Sequence, residues 1–386
     1  MILPYALSLL PVAATCGYWV GSRDRRKKES PKWYSDYFKG LNYLLNEQPD
    51  KAVDVFIKLL EVDSDTVETH LALGSLFRRR GEVDRSTRIH QNLIARPQLD
   101  KIYKVRALAA LAQDYLKAGV LDRAERLFLE LAELGEIDEK NLKFLLHIYQ
   151  QEKDWRKAID VATRLEKITG HSMLPVVAQY HCELADIKKS EGNFELALEY
   201  CRTADAIDHD CVRASLLRAE IEMSLGNYEM AIRSYKQVKK QDPSFLSETI
   251  EPLVNCYQEI NKEDQLLGYL NESLKQYQRF SLVKVISQYR QKQEGDVAAI
   301  EFLSEQIRRR PSLRALRHLL ELYIENSAGR TREKLVILQN FMDTLLEDKP
   351  LYRCRHCGFS GKILYWLCPS CHHWMSVKPI LGLEGN

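Results

Sequence analysis

The stretch of sequence that decides the fold reads ALAALAQDYLKAGVLDRAERLF and covers residues 107–128. It contains two segments of helical periodicity, separated by a short turn at Gly119. The first segment carries Ala112 with Tyr115 three positions later, and the second carries Ala124 with Phe128 four positions later. Small residues let paired helices approach closely, and an aromatic residue one turn away fills the gap to the next pair. The stretch therefore predicts a helical hairpin that packs against similar neighbours.

The same pattern recurs along most of the chain with a period near 34 residues. Equivalent positions of the first helices are 34 residues apart at 40 and 74, at 112 and 146, and at 185 and 219. The second helices carry a small residue at Ala52, Ala124, Ala158, Ala197 and Ala231. A period of this length with paired helices is typical of tetratricopeptide repeats.

Six repeats are clear from about residue 34 to residue 243, and the pattern weakens from there to residue 349. Two or three degenerate repeats fit the weaker part. The sequence thus predicts an all-α, superhelical tetratricopeptide-repeat solenoid at residues 34–349, with about eight to nine repeats. A generic helical bundle is the alternative interpretation.

The composition agrees with a helical, folded chain. Of 386 residues, 45% are hydrophobic and 28% are charged, whereas only 17 are glycine and 12 are proline. The net charge of +2 lacks the basic excess of a typical nucleic-acid-binding protein. The sequence also lacks a P-loop, a dinucleotide-binding fingerprint, a nucleophile elbow and a His-Glu-x-x-His motif. We therefore predict a protein that is not an enzyme and has no catalytic residues.

Residues 1–22 predict a transmembrane anchor. No charged side chain occurs from Ile2 to Ser22, and the hydrocarbon core of a bilayer needs roughly 20 apolar residues. Residues 23–33 form a basic juxtamembrane linker that begins with Arg23, Arg25 and Arg26. By the positive-inside rule, the N-terminus lies outside and the body faces the cytoplasm. A cleaved signal peptide is the alternative, but basic residues would have to precede the apolar run.

The C-terminal segment, residues 350–386, predicts a metal-binding ribbon. Two Cys-x-x-Cys pairs, Cys354 with Cys357 and Cys368 with Cys371, are separated by ten residues. Two such pairs supply four thiolates for one tetrahedral ion and leave no open position, which favours a structural zinc. Iron that transfers electrons and a thiol redox pair are the alternatives. We also expect this small ribbon to cap the apolar end of the final repeats, since both ends of a solenoid need covering.

The whole arrangement resembles the lipopolysaccharide assembly protein B family of Gram-negative bacteria. An apolar first segment, a basic run, tetratricopeptide repeats and the Cys-x-x-Cys-Gly and Cys-Pro-x-Cys pairs carry the resemblance over the entire chain. It implies an inner-membrane protein whose rubredoxin-like metal ribbon packs against the repeats, with ligands Cys354, Cys357, Cys368 and Cys371. The two pairs are closer together than in a true rubredoxin, which weakens an electron-carrier role.

The resemblance further implies a function in regulating lipopolysaccharide synthesis. The chain would present the deacetylase of the lipid A pathway to the membrane protease FtsH, and would meet other lipopolysaccharide assembly or inner-membrane regulatory proteins. A rubredoxin-type iron electron carrier and a nucleic-acid-binding zinc-ribbon protein are the alternative functions, although the charge balance predicts no nucleic-acid partner. Homo-oligomerisation stays open.

A repeat solenoid offers an extended surface for a protein partner. Equivalent positions on the first helices of four repeats, away from the small packing residues, predict side chains that line this groove: Gln113, His147, Asp186 and Glu220.

Overall fold

The structure is a computed structural model that describes residues 38–43, 48, 51–52, 55, 67–97, 99–135 and 138–383. The predicted anchor at residues 1–22 and the basic linker at residues 23–33 lie outside these ranges. Within them, every helix is too short or too polar to cross a membrane. The chain divides into two compact units, residues 1–153 and residues 154–386.

The first unit consists of helices that pair in antiparallel hairpins. Residues 38–43 are helical, and five longer helices follow: α1 (Val67–Arg79), α2 (Val83–Ile94), α3 (Lys101–Lys117), α4 (Leu121–Glu133) and α5 (Glu139–Glu152). Gly119 adopts a φ of 76° in the turn between α3 and α4, a conformation that glycine reaches without strain. Ala112 and Ala124 are fully buried where these two helices meet. The predicted hairpin at residues 107–128 is thus confirmed.

A buried polar cluster joins the first three of these helices. His90 on α2 hydrogen-bonds through Nδ1 to the carboxylate of Asp114 on α3. Arg78 on α1 donates to the same carboxylate at 2.7 Å, and Ser86 Oγ donates to it at 2.6 Å. Because a carboxylate without partners is costly to bury, these three donors allow Asp114 to be fully enclosed. A Cβ atom at Gly74 would clash with the His90 ring, so glycine is needed there.

The second unit continues the helical pairs. Its helices are α6 (Trp155–Thr169), α7 (Leu174–Ser190), α8 (Phe194–Ile207), α9 (Val212–Ser224), α10 (Tyr228–Gln241), a 3₁₀ turn (Pro243–Phe245), α11 (Leu246–Glu259), α12 (Glu263–Gln276), α13 (Phe280–Glu294), α14 (Asp296–Arg309), α15 (Leu313–Glu325) and α16 (Gly329–Glu347). Ala158, Ala197 and Ala231 are fully buried, as the repeat pattern predicts. The six helices from α11 to α16 form three further pairs, and their assignment as degenerate tetratricopeptide repeats stays a prediction.

A small antiparallel sheet follows the last helix. It comprises β1 (Tyr352–Cys354), β2 (Ser360–Gly361) and β3 (Val377–Pro379), with β1 in the middle. Arg353 on β1 pairs with Ser360 on one side and with Lys378 on the other. Four residues of this ribbon are buried in the part of the chain that the structure describes: Cys354, Cys368, Val377 and Pro379. Such a core is too small to hold the ribbon together alone.

Replacement of Gly74 by alanine tests the helix approach in the first unit. The added methyl group would push His90 away from Asp114, and we expect a loss of about 1–3 kcal/mol in the free energy of unfolding. Urea unfolding of the full chain measures this loss. Protease susceptibility of residues 67–135 then shows whether the loss arises in the first unit. The matched control is Gly268→Ala on α12, where no atom lies near the added methyl group, so stability should stay equal or rise. Equal stability of Gly74→Ala and the parent chain would contradict the close approach.

Candidate metal centre and its contacts with the helices

Four cysteine side chains converge at one end of the ribbon. Cys354 ends β1, and Cys357 lies in the turn that leads towards β2. Cys368 and Cys371 lie in a second turn, which is closed by a bridge between Leu367 and Trp374. The four Sγ atoms lie within 4.8 Å of one another. The structure therefore brings together all four residues that the sequence predicts as metal ligands.

The two turns have the same backbone design. In the first, the amide of Gly358 donates to the Cys354 carbonyl at 3.1 Å, and in the second the amide of His372 donates to the Cys368 carbonyl at 2.9 Å. Gly358 and His372 both adopt a positive φ, of 81° and 54°. The amides of His356 and Cys357 point at Cys354 Sγ, each at 3.4 Å. Such amides stabilise negative charge on a sulfur atom.

The spacing of the sulfur atoms fits one tetrahedral ion. Cys354 Sγ lies 3.7 Å from Cys371 Sγ, and Cys357 Sγ lies 3.7 Å from Cys368 Sγ. Metal–sulfur bonds of about 2.3 Å in a tetrahedron place the sulfur atoms about 3.8 Å apart. Zinc and iron both bind four thiolates in this geometry, so the fit holds for either metal. A closed shell of this kind serves to fold the segment, because no position is left for a substrate.

The protonation of the thiols also points to a cation. Burial raises the pKa of Cys354, but a hydrogen bond with Ser376 and hydrogen bonds from two backbone amides outweigh it and lower the pKa to about 5. Burial and the neighbouring thiols raise the pKa of Cys371 to about 12. In the absence of a cation, thiolates at Cys354 and Cys371 together are therefore disfavoured. A bound divalent cation removes this restriction, since it attracts all four negative charges.

Histidine side chains lie beside the four thiols. The rings of His356 and His373 stack with centroids 3.6 Å apart, and both are exposed. With Cys371 they form a second group of close ligand atoms. This group shares its sulfur with the four-cysteine cluster, which is complete without it. The predicted ligand set of four cysteines accordingly keeps both histidines outside.

Trp374 fixes one end of the ribbon to the helices. Its ring meets Tyr180 on α7 edge-on, with centroids 5.7 Å apart and planes at 82°. It meets Trp155 at the start of α6 in a similar way, at 6.2 Å and 76°. Trp155 and Tyr180 are themselves stacked at 5.7 Å. Edge-to-face contacts of this kind add to the energy of apolar burial.

Trp366 makes the second aromatic contact. It stacks on Phe245 of the 3₁₀ turn with centroids 5.6 Å apart. The guanidinium of Arg213, on α9, lies 5.8 Å from the centre of the same ring and is held there by Glu183 and Asp186 of α7. The Trp366 side chain therefore bridges two successive helical pairs.

Polar contacts also hold the ribbon against the helices. The hydroxyl of Tyr352 donates to the carboxylate of Glu248 on α11, at 3.1 Å from either oxygen. Lys378 Nζ lies 2.7 Å from the carboxylate of Asp242. The first amide of α15, that of Leu313, donates to the carbonyl of Leu383 at 2.9 Å. The ribbon thus lies along the N-terminal halves of α7, α9, α11 and α15.

This position corrects the expectation that the ribbon caps the final repeats. Its aromatic contacts are made with α6, α7, α9 and the 3₁₀ turn. On α16, Ile337, Leu338 and Phe341 remain exposed. The expectation is wrong because the aromatic side chains of the ribbon need only an apolar surface to pack on. The repeats carry suitable aromatic residues along their length and not only at their end. The pairs that decide the position, Trp366 with Phe245 and Trp374 with Tyr180, are more than a hundred residues apart in sequence.

The predicted groove residues fall into two separate environments. In the first unit, Gln113 accepts a hydrogen bond from Arg78 at 3.1 Å, and His147 is half-buried. In the second unit, Lys189 joins Asp186, at 3.5 Å, to Glu220, at 2.8 Å. Burial lowers the pKa of Lys189, but Glu220 and Asp186 outweigh it and raise the pKa above its usual value. Their role in binding a partner stays a prediction.

Comparison with known proteins adds three findings. A family described as "Rubredoxin metal binding domain" matches residues 352–379, and the tetratricopeptide repeat family matches residues 69–102, 178–211 and 212–245. Lipopolysaccharide assembly protein B of Escherichia coli (strain K12) is 36% identical over 381 residues, with 98% of each chain covered. The protein of the same name from Haemophilus influenzae is 35% identical over 390 residues, again with 98% of each covered.

Among solved structures, "Naa15/Naa10 bound to HypK-THB" matches with a TM-score of 0.52. The match covers 84% of this chain and 52% of that chain at 15% identity. Such a low identity shows a likeness of the helical-repeat fold alone.

Replacement of Cys371 by serine tests the metal centre. We expect metal binding to weaken on the order of 100-fold or more, because even residues behind the ligands contribute 10–100-fold. Elemental mass spectrometry of the full chain measures the metal and separates zinc from iron. Trp366 and Trp374 should lose their packing, seen as a red shift of tryptophan fluorescence. The control, Cys256→Ala on α11, should keep one metal per chain. Metal retention by Cys371→Ser would contradict the assignment.

Proposed function

The chain belongs to the lipopolysaccharide assembly protein B family, and on this premise we propose that it is a membrane-anchored, cytoplasm-facing adaptor that regulates lipopolysaccharide synthesis. The observation that carries the proposal is the match to lipopolysaccharide assembly protein B along 98% of both chains. The name of these relatives places them in lipopolysaccharide assembly. An adaptor, rather than an enzyme, agrees with the repeat fold, which presents helix faces to other proteins.

The first unit offers a surface that suits a protein segment. A cavity of about 310 Å³ lies between α3 and α5, lined by Gln113, Arg106, Asp138 and Lys140. Its wall mixes charged and apolar groups, which is typical of sites that hold a polar side chain or a chain terminus through a few directed hydrogen bonds. Gln113 is one of the predicted groove residues, and Arg78 fixes its amide. We propose this cavity as part of the partner-binding groove.

In the second unit, the ribbon and the predicted groove residues lie on different parts of the same helices. The ribbon occupies the N-terminal halves of the first helices, where Trp374 and Trp366 pack. Asp186 and Glu220 lie further along α7 and α9 and hold Lys189 between them. Rigid, charged side chains in this arrangement favour specificity over raw affinity. We propose that they contact a partner, while the metal ribbon keeps the helices in place.

The proposed partners are the deacetylase of the lipid A pathway and the membrane protease FtsH. Their identity rests on the family resemblance. An anchor at residues 1–22 would support this role, since a tether that confines the adaptor and the protease to one surface raises their effective concentration. The apolar run from Ile2 to Ser22 and the basic linker after it support such a tether with the body in the cytoplasm.

Deletion of residues 1–21 tests the tethered-adaptor function. We expect the deacetylase to persist longer in cells, because the untethered body meets the protease less often. Loss of the tether lowers the effective concentration of the adaptor at the protease on the order of 100-fold. The half-life of the deacetylase, measured by immunoblot at native expression, reports this change. The same deletion in cells without the protease should have no effect.

A matched control separates the tether from the sequence of the anchor. The deleted chain fused to an unrelated transmembrane helix of the same orientation should restore the short half-life. Full regulation by the untethered body at native expression would contradict the proposal.

A further inference from the structure

The last helix of the repeats, α16, leaves a large apolar face open. The exposed fractions are 68% for Ile337, 52% for Leu338, 62% for Phe341 and 40% for Leu345. Ile337, Phe341 and Leu345 are four residues apart, so they lie one above another on one side of the helix. Single exposed apolar residues are ordinary, whereas four within nine residues of one helix form a patch.

The opposite side of α16 is already occupied. Met342 is buried, and Asp343 pairs with Arg317 of α15. The ribbon contacts described above reach the start of α15 and do not extend to Phe341. The open face is therefore a surface that remains after α16 has packed on its own repeat.

The charges on α16 are distributed against its own dipole. Arg330, Arg332 and Lys334 lie near the N-terminus, offset only by Glu333, whereas Glu347 and Asp348 lie at the C-terminus, offset only by Lys349. A helix dipole favours the reverse order, acidic residues first and basic residues last. None of Arg330, Arg332, Lys334, Glu347 and Asp348 has an ion-pair partner in the part of the chain that the structure describes. These charges thus destabilise α16 slightly as an isolated helix.

We propose that α16 pairs antiparallel with α16 of a second copy of this chain, about a two-fold axis near Phe341. In this register Ile337 lies opposite Leu345, and Lys334 lies opposite Asp348. The acidic end of each helix then meets the basic start of the other, and the two helix dipoles oppose one another favourably. The basic residues at the start of α16 and the acidic residues at its end are unfavourable for the dipole of their own helix. They are favourable for an antiparallel partner helix, which is why a second copy fits this face.

The length of the apolar stripe on α16 limits the affinity of the proposed dimer. The apolar stripe from Ile337 to Leu345 is about 12 Å long, at 1.5 Å per residue. A contact one helix wide lies at the small end of the range of specific interfaces, so we expect a dimer with a dissociation constant in roughly the micromolar range. The dimer should dissociate on dilution and weaken as salt concentration rises.

The apolar face is tested with Phe341→Asp in the full chain, purified in detergent. Sedimentation equilibrium across a concentration series should show a monomer–dimer equilibrium for the parent chain and a monomer for the variant. Val297→Asp, at a residue that is 71% exposed on α14, is the matched control and should leave the equilibrium unchanged. Metal content and circular dichroism confirm that both variants are folded. A parent chain that stays monomeric throughout, or a Phe341→Asp variant that still dimerises, would overturn the proposal.

The charge arrangement is tested by mixing two variants. Lys334→Asp places acid opposite acid, and Asp348→Lys places base opposite base, so each variant alone should dimerise about five- to tenfold more weakly at low salt. An equimolar mixture should recover the parent affinity as a heterodimer, because each helix then meets the opposite charge at both ends. Failure of the mixture to associate more strongly than either variant would exclude the antiparallel register.

Discussion

Four thiols held close together at the end of a segment too short to enclose a core impose the central constraint on this structure. Hydrogen bonds lower the pKa of Cys354, whereas burial and the neighbouring thiols raise the pKa of Cys371, so thiolates at both positions disfavour each other. A bound cation would offset the repulsion between four thiolates held within 4.8 Å of one another. The same segment exposes Trp366 and Trp374 on its outer side, and these rings find their packing partners only on the helices. Metal binding and helix packing therefore depend on each other.

This dependence has a consequence for the proposed function. The ribbon touches α7, α9, the 3₁₀ turn and α15, which belong to several repeats. Helical repeats contact only their neighbours, so arrays of this kind bend and fray easily unless a further element joins them. A ribbon fixed by a metal ion supplies such an element. It would hold the charged group around Lys189 in a constant arrangement, which a selective adaptor surface requires.

Much of this structure could be predicted from the sequence, because the decisive signals are local. The small residues at Ala124, Ala158 and Ala197 fix where helices meet, and the two Cys-x-x-Cys pairs fix the metal ligands within a few residues of each other. The position of the ribbon depends instead on contacts between distant residues, such as Trp374 with Tyr180. Periodicity carries no information about these contacts. The polar partners of Gln113 and Asp186 could not be predicted for the same reason.

Hydrogen exchange of the full chain, measured by mass spectrometry before and after removal of the metal with a chelator, tests the mutual dependence most directly. We expect the ribbon to lose protection together with the N-terminal halves of α7, α9 and α11, while α2 and α3 of the first unit keep theirs. The buried cluster around Asp114 contains no metal ligand, so it serves as the internal reference. Loss of protection confined to the ribbon, with the amides around Tyr180 and Arg213 unchanged, would contradict the claim that the metal also stabilises the helices.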